Sequence, residues 1–303
     1  MKNLQLEEKK EILNFLSLVK EKEKAKHFTS VALGKFDGMH IAHQAIFKAL
    51  DYQGMILCIE SNRGELLPKP YRDFYTHFPI YHLALDIVKE KNDIEFVEFL
   101  MEILPNLKQI VVGYDFRFGK NRNYYTFDLK KHFKGEVIVI GEVFYKKLSV
   151  HSGLIKELLI NGNLKLANKL LGREFEIRGK IISGQGIGKK QLYATINLEN
   201  DGFLLPQEGV YAGFIQLGKQ SHIAPKYPAV IFVGNRISTD KSFAIEGHLL
   251  GIELEVQEAE AGFYFYRKIR ENEYFDTLEA LKEQIKQDIS QAYKLLKIKP
   301  KEI

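Results

Sequence analysis

Apolar positions recur with two different rhythms along this chain, and the rhythm changes once. In the first half, strand-like and helix-like segments alternate. Residues 6–24 carry an amphipathic helical period, and 28–34 form a short apolar run ending at a glycine, as in a strand. Residues 40–51 and 81–91 predict helices, whereas 55–60, 109–113 and 137–140 predict strands. Residues 152–171 predict two short helices broken at Asn161-Gly162-Asn163. This β/α alternation predicts a parallel sheet with helices on both faces, where ligands sit at the carboxyl ends of the strands.

Near Gly172 the pattern turns to strands alone, at 175–182, 209–217, 229–233, 243–250, 252–256 and 263–267. Pro206, Gly218 and Gly234-Asn235 punctuate them. Strands without intervening helices predict a small antiparallel barrel. One long helix, 277–296, closes the chain. The expected fold class is therefore α/β followed by β, with domains at 1–171 and 172–303.

Composition narrows the class. The 303 residues are 45% hydrophobic and 27% charged, which argues for a folded globular protein rather than a disordered one. The net charge of +5 is spread through mixed runs such as Glu7-Glu8-Lys9-Lys10, read as solvated helix faces rather than a nucleic-acid stripe. Cys58, the only cysteine, lies in the apolar run Gly54-Met55-Ile56-Leu57-Cys58-Ile59 and reads as a buried small hydrophobe. No internal disulfide can form, residues 1–10 lack a signal-type apolar core, and no apolar run is long enough to span a bilayer. A cytoplasmic location is expected, with no membrane, nucleic-acid or protein partner implied.

Two constellations carry candidate chemistry. Gly34-Lys35-Phe36-Asp37-Gly38-Met39-His40-Ile41-Ala42-His43 follows the first strand. Its glycines allow a tight turn into a helix, and His40 and His43 share one helix face. Such a pair can donate hydrogen bonds to a polyphosphate, but it can equally be an exposed or capping pair; a zinc pair fits less well, since metal-binding histidines more often sit at i, i+4 beside an acidic residue. In the second half, Gly184, Gly186 and Gly188 alternate in a run that reads as a phosphate-binding loop or as a plain loop, and it lacks the P-loop ending. Thr195 and Asn197 stand two apart on one side of an extended stretch and read either as hard oxygen ligands or as polar residues on an open strand face, and Glu246 reads either as a functional carboxylate or as a solvent-facing acid.

The first stretch resembles the nucleotidyltransferase signature in its form from bacterial bifunctional riboflavin kinase/FAD synthetases: Gly, any residue, Phe-Asp-Gly, any residue, His, two residues, His. Gly34, Phe36, Asp37, Gly38, His40 and His43 match, while Ala42 stands where that family usually has glycine. Gly113-Tyr114-Asp115-Phe116-Arg117-Phe118-Gly119-Lys120 is similar to the family's second signature. Tyr193-Ala194-Thr195-Ile196-Asn197-Leu198 resembles its Pro-Thr-Ala-Asn motif, with Ala194 in place of proline. Ile245-Glu246-Gly247-His248-Leu249 looks like its Glu, any residue, His strand, Gly209-Val210-Tyr211-Ala212 matches another stretch, and Arg270 and Phe275 fall in its arginine-rich ending.

The resemblance implies a Rossmann-like FMN adenylyltransferase domain over 1–171 and a riboflavin kinase β-barrel over 172–303. Its implied substrates are riboflavin, FMN and ATP, with magnesium accompanying the nucleotide. Glu246, His40 and His43 are then catalytic. Nucleotide contacts fall to Gly34, Phe36, Asp37, Gly38, Lys156, Gly184, Gly186 and Gly188, flavin contacts to Asp115, Arg117, Phe118 and Arg270, and metal contacts to Thr195 and Asn197. The chain departs from the family at Glu60-Ser61-Asn62-Arg63, where Pro-His-Pro is common. It departs again at His151-Ser152-Gly153-Leu154-Ile155-Lys156, where glycine and lysine replace threonine and arginine. Lysine lacks the bidentate fork of arginine. These departures keep open a kinase with a degenerate first domain. A flavin-binding regulator without turnover is the alternative of another class, and it would need no Glu246.

Overall fold

Five apolar segments of the first half, Ser30–Gly34 (β1), Gly54–Glu60 (β2), Ile80–Ala84 (β3), Gln109–Gly113 (β4) and Glu136–Ile140 (β5), align in parallel in the order β3-β2-β1-β4-β5. The computed structural model describes residues 22–60, 65–182, 193–238, 241–252 and 257–299. Residues 6–21 of the expected helix at 6–24 and most of the expected strand at 252–256 lie outside these residues, and Lys22–Ala25 is helical.

Near-continuous apolar runs suit a parallel sheet covered on both faces. Helices Asp93–Ile103 (α2) and Thr126–His132 (α3) bring Phe96, Val97, Leu100 and Leu129 against Val31, Leu33, Met55, Leu57, Ile110 and Val112. Residues of opposite parity, Ala32, Ile56 and Val111, are as fully buried on the other face. Helix Ile41–Phe47 (α1) lies there, since a Cβ on Gly113 would stand 3.6 Å from Ile46 Cδ1. Asn92 and Glu95 start α2 with a reciprocal capping box, each bond 2.9 Å.

The helix expected at 81–91 is a correction: β3 occupies Ile80–Ala84, and only Leu85–Val88 is helical. Tyr81 and Leu83 enter the core while pairing with β2, so tertiary burial outweighs local periodicity. Helices α2 and α3 escaped the sequence reading.

The second half forms a closed antiparallel barrel. Its staves are Phe175–Ile182 (β6), Ile196–Leu198 (β7), Gly209–Leu217 (β8), Tyr227–Asn235 (β9), Phe243–Leu249 (β10) and Glu260–Arg270 (β11), ordered β6-β7-β10-β9-β8-β11. Helix Leu278–Leu296 (α6) packs Ile289, Ala292, Tyr293 and Leu296 onto the outside of the barrel against Val210, Ala212, Val230 and Phe232. Thr277 caps its start by accepting from Ala280 N at 3.1 Å.

The chain divides into two compact units after Val150, with residues 65–68 joining the second unit. The expected domain boundary lay at 171/172. Helices Ser152–Ile160 (α4) and Leu164–Leu171 (α5) instead group with the barrel. One tie is Asn168, whose side chain donates to Phe265 O at 2.8 Å and accepts from Phe175 N at 2.8 Å. Residues 65–68 join through Leu204 N, which donates to Glu65 O at 2.8 Å.

Candidate functional site

In the parallel sheet the strand order turns at β1, whose two neighbours β2 and β4 lie on opposite sides. Ligands of open α/β sheets sit beyond the carboxyl ends of the strands at such a turning point. Both motifs of the first half arrive there, one leaving β1 after Gly34 and the other leaving β4 after Gly113.

The loop after β1 is held in an uncommon backbone form. Phe36 (φ 50°), Gly38 (φ 86°) and Met39 (φ 45°) are left-handed, which costs energy for the two non-glycine residues. Burial compensates: Phe36 packs edge-on against Phe47 and His43 at 4.9 and 5.2 Å, and Met39 is fully enclosed. His40 is buried and His43 half-buried, and their rings stack at 3.5 Å with 21° between planes. The spacing therefore does place both imidazoles together. Gln44 anchors the turn by donating to Met39 O and Tyr75 O, each at 3.2 Å.

A buried cluster missed from sequence braces this loop. Arg72 is wholly enclosed; it donates to Glu60 Oε1 at 2.6 Å and to Lys35 O at 3.2 Å, and His82 Nδ1 also reaches Glu60 Oε1 at 2.8 Å. Burial alone would raise the Glu60 pKa, but the His82 bond and the Arg72 charge outweigh it and hold the carboxyl below its usual range. Burial pushes the Cys58 thiol up to about 12, which fits the inert role expected for it. Cys58, Glu60 and His82 have metal-ligand chemistry within 4.8 Å of one another, but the Arg72 guanidinium already supplies the cationic partner.

After β4, Asp115 and Arg117 are exposed, and Arg117 lies 4.9 Å over the Tyr125 ring. Phe118 is a correction. It is 4% exposed and packs on Phe96 at 4.6 Å, so it belongs to the core and offers no face to a flat ligand. Its alternation with exposed Arg117 was a signal for this.

The second constellation assembles on the outside of the barrel. Asn197 pairs with Glu246 across β7 and β10. Their neighbours point inward: Ile196 and Leu198 are buried, and a Cβ on Gly247 would stand 2.3 Å from Ile215 Cδ1. Period-two alternation then turns Asn197, Glu246 and His248 outward. Arg236, which the sequence reading missed, joins the two motifs. Its Nη2 donates to Asn197 Oδ1 at 2.9 Å and to Glu246 Oε1 at 2.5 Å, its Nε to Glu246 Oε1 at 2.9 Å, and its Nη1 to Ser242 Oγ at 2.5 Å. The convergence of an amide oxygen and a carboxylate on one cationic nitrogen is a donor set that suits a hard cation. Thr195, at the start of this stretch, is exposed. His248 accepts no role beyond structure here: its Nδ1 lies 2.9 Å from Ala194 O, and burial holds its pKa down against that bond.

Arg270 grips Asp288 of α6 through two bonds of 2.9 Å and lies 5.5 Å from the Phe275 ring centroid. Lys156 is half-buried on α4, in the barrel's unit, and His151 caps that helix by accepting from Leu154 N at 3.1 Å. Gly184, Gly186 and Gly188 lie outside the described residues.

The sequence profile for riboflavin kinase matches residues 171–296. A bifunctional riboflavin kinase/FMN adenylyltransferase from Buchnera aphidicola subsp. Acyrthosiphon pisum is 31% identical over 288 residues, covering 86% of this chain and 90% of that one. The chain belongs to the bifunctional riboflavin kinase/FMN adenylyltransferase family. Another riboflavin kinase/FMN adenylyltransferase, from Escherichia coli, is 27% identical over 85% of this chain and 90% of its own. A crystal structure titled as a macrolide-efflux protein from Streptococcus pneumoniae shares the architecture, with a TM-score of 0.76, 26% identity and coverage of 88% and 93%. Among the described residues no helix is long and apolar enough to cross a membrane.

Proposed function

We propose that this chain carries out two successive ATP-dependent reactions, riboflavin to FMN and then FMN to FAD with release of pyrophosphate. The observation that carries the reading is alignment with relatives named for both activities along both units. A cytoplasmic location suits two reactions that consume ATP.

The barrel performs the phosphorylation. Glu246 takes the proton of the riboflavin 5′-hydroxyl as that oxygen attacks the γ-phosphate. Asn197 Oδ1 and the Thr195 hydroxyl hold the nucleotide's magnesium, a reading supported by the cationic nitrogen of Arg236 that donates to Asn197 Oδ1. When bound, that ion neutralises phosphate oxygens and fixes them in line. Arg270, set by Asp288, faces the flavin beside Phe275.

The first unit, a Rossmann-type nucleotidyltransferase fold in this reading, performs the adenylylation. No protein nucleophile is required. His40 and His43 donate to the phosphates where charge builds as pyrophosphate leaves, and the Gly34–Gly38 loop cradles the nucleotide. Asp115 and Arg117 bind the FMN side. A time course of riboflavin with excess ATP and magnesium, resolved by chromatography, tests the proposal. FMN followed by FAD is expected. FMN alone would promote the kinase-only reading, and neither product would leave a binding protein.

A further inference from the structure

The barrel site contains a cation of its own. Arg236 leaves the end of β9 and sends one nitrogen to two acceptors that belong to separate sequence motifs, Asn197 Oδ1 on β7 and Glu246 Oε1 on β10. The contacts are 2.9 and 2.5 Å, and the Arg236 and Glu246 side chains are only about one-fifth exposed, so solvent screens the pair incompletely. An acceptor oxygen held by a guanidinium cannot at the same time ligate a metal with the same lone pair. Both contacts to Glu246 fall on Oε1, so that oxygen is poorly placed to take a proton from a third group while the guanidinium holds it.

Resting on the kinase reading of the barrel, we infer that Arg236 and the magnesium of the nucleotide compete for Asn197, so that metal arrival displaces Arg236 and releases Glu246 to act as base. Arg236 is thus a positioning residue. It keeps the two acceptors converged, and it couples availability of the base to presence of the metal. Its Nη1 bond to Ser242 Oγ at 2.5 Å anchors the guanidinium from the other side, which defines the position it leaves. No other group among the described residues is bonded to both Asn197 and Glu246.

The test is the metal dependence of ADP binding by the full chain, measured calorimetrically with manganese and again with chelator. The ratio of the dissociation constant with chelator to that with manganese reports how much the metal adds to ADP binding, which is what competition at Asn197 limits. Arg236→Gln keeps length and hydrogen bonding but removes the charge; it should raise the ratio roughly tenfold, as expected for removing one opposing charge from a partly exposed site. Arg236→Lys keeps the charge and should stay near the wild-type ratio. Adding Asn197→Ala to Arg236→Gln should abolish the gain, which assigns it to the barrel among the chain's two nucleotide sites. Denaturant unfolding of the same samples checks that the barrel is folded. An unchanged ratio in folded Arg236→Gln overturns the competition, as does an equal gain in Arg236→Lys. Wild-type protein that makes no FMN removes the kinase reading itself, a failure separate from an unchanged ratio.

Discussion

Glu246 shows how a single residue becomes chemistry through its neighbours. Facing outward beside Asn197, it should be dispensable for folding and essential for proton removal. Glu246→Gln is expected to lower FMN formation by about two to four orders of magnitude, the usual range for a general base, with ADP binding retained. Rapid-quench assays check this, and near-normal FMN production would remove the assignment. Glu60 is the opposite case, enclosed and paired with Arg72 and His82. Glu60→Gln should destabilise the first unit by about 3–5 kcal/mol, the cost of breaking a buried pair from one side. Its depressed pKa means folding favours the ionised form. That stability is present above the ordinary value of 4.5 and lost as pH falls through the lower folded value. His248, also depressed, loses its contribution as pH falls below 6.5. The melting temperature should therefore drop on acidification from pH 7, and Glu60→Gln should flatten the lower part of that curve. Parallel curves would show that Glu60 does not drive it. Asn197 and Glu246 were legible because each sits in a local motif. Arg236 and Arg72 were not, because their partners come from other strands and only the fold brings them together.

At the scale of elements, Gly247 governs how Glu246 is presented. With no side chain, it lets β10 lie against Ile215 and Phe263, at 2.3 and 3.0 Å from where a Cβ would stand. Gly247→Ala should cost about 1–3 kcal/mol by overpacking, and Ile215→Val in the same chain should recover part of it. Denaturant titrations of the single and double variants decide this; strict additivity would mean that the contact does not limit the strand. Period-two alternation made most barrel strands legible from sequence. It failed at β3, where Tyr81-His82-Leu83 looked helical because Leu85-Asp86-Ile87-Val88 continued the apolar run. Helix α2 was passed over although its Asn92 and Glu95 form a capping box, a signal written plainly in the sequence.

For the whole molecule, two sets of motifs in two compact units predict that the activities separate by mutation. His43→Ala should suppress FAD formation on the order of a hundredfold, as for loss of one oriented donor to a developing anion, while FMN accumulates. Chromatography of both flavins over time measures it, and normal FAD output would take His43 out of the mechanism. The two-part organisation was legible from the change of rhythm near Gly172, where the riboflavin kinase profile also starts, but the packing of residues 151–171 with the barrel was not. Composition does not reveal that α4 and α5 belong with the barrel, because the ties run through Asn168 to Phe175 and Phe265.

The barrel closes by pairing its first stave with its last, Phe175 with Phe265 and Lys180 with Glu260. During synthesis this sets a schedule. The parallel sheet has all its strands once residue 140 has emerged, and can consolidate while the rest of the chain is still being made. The barrel keeps raw edges at β6 and β8 until β11 leaves the ribosome, and residues 65–68 wait for Phe203 and Leu204. A nascent chain stalled before residue 260 should therefore carry a protease-resistant first unit and a barrel segment dependent on chaperones.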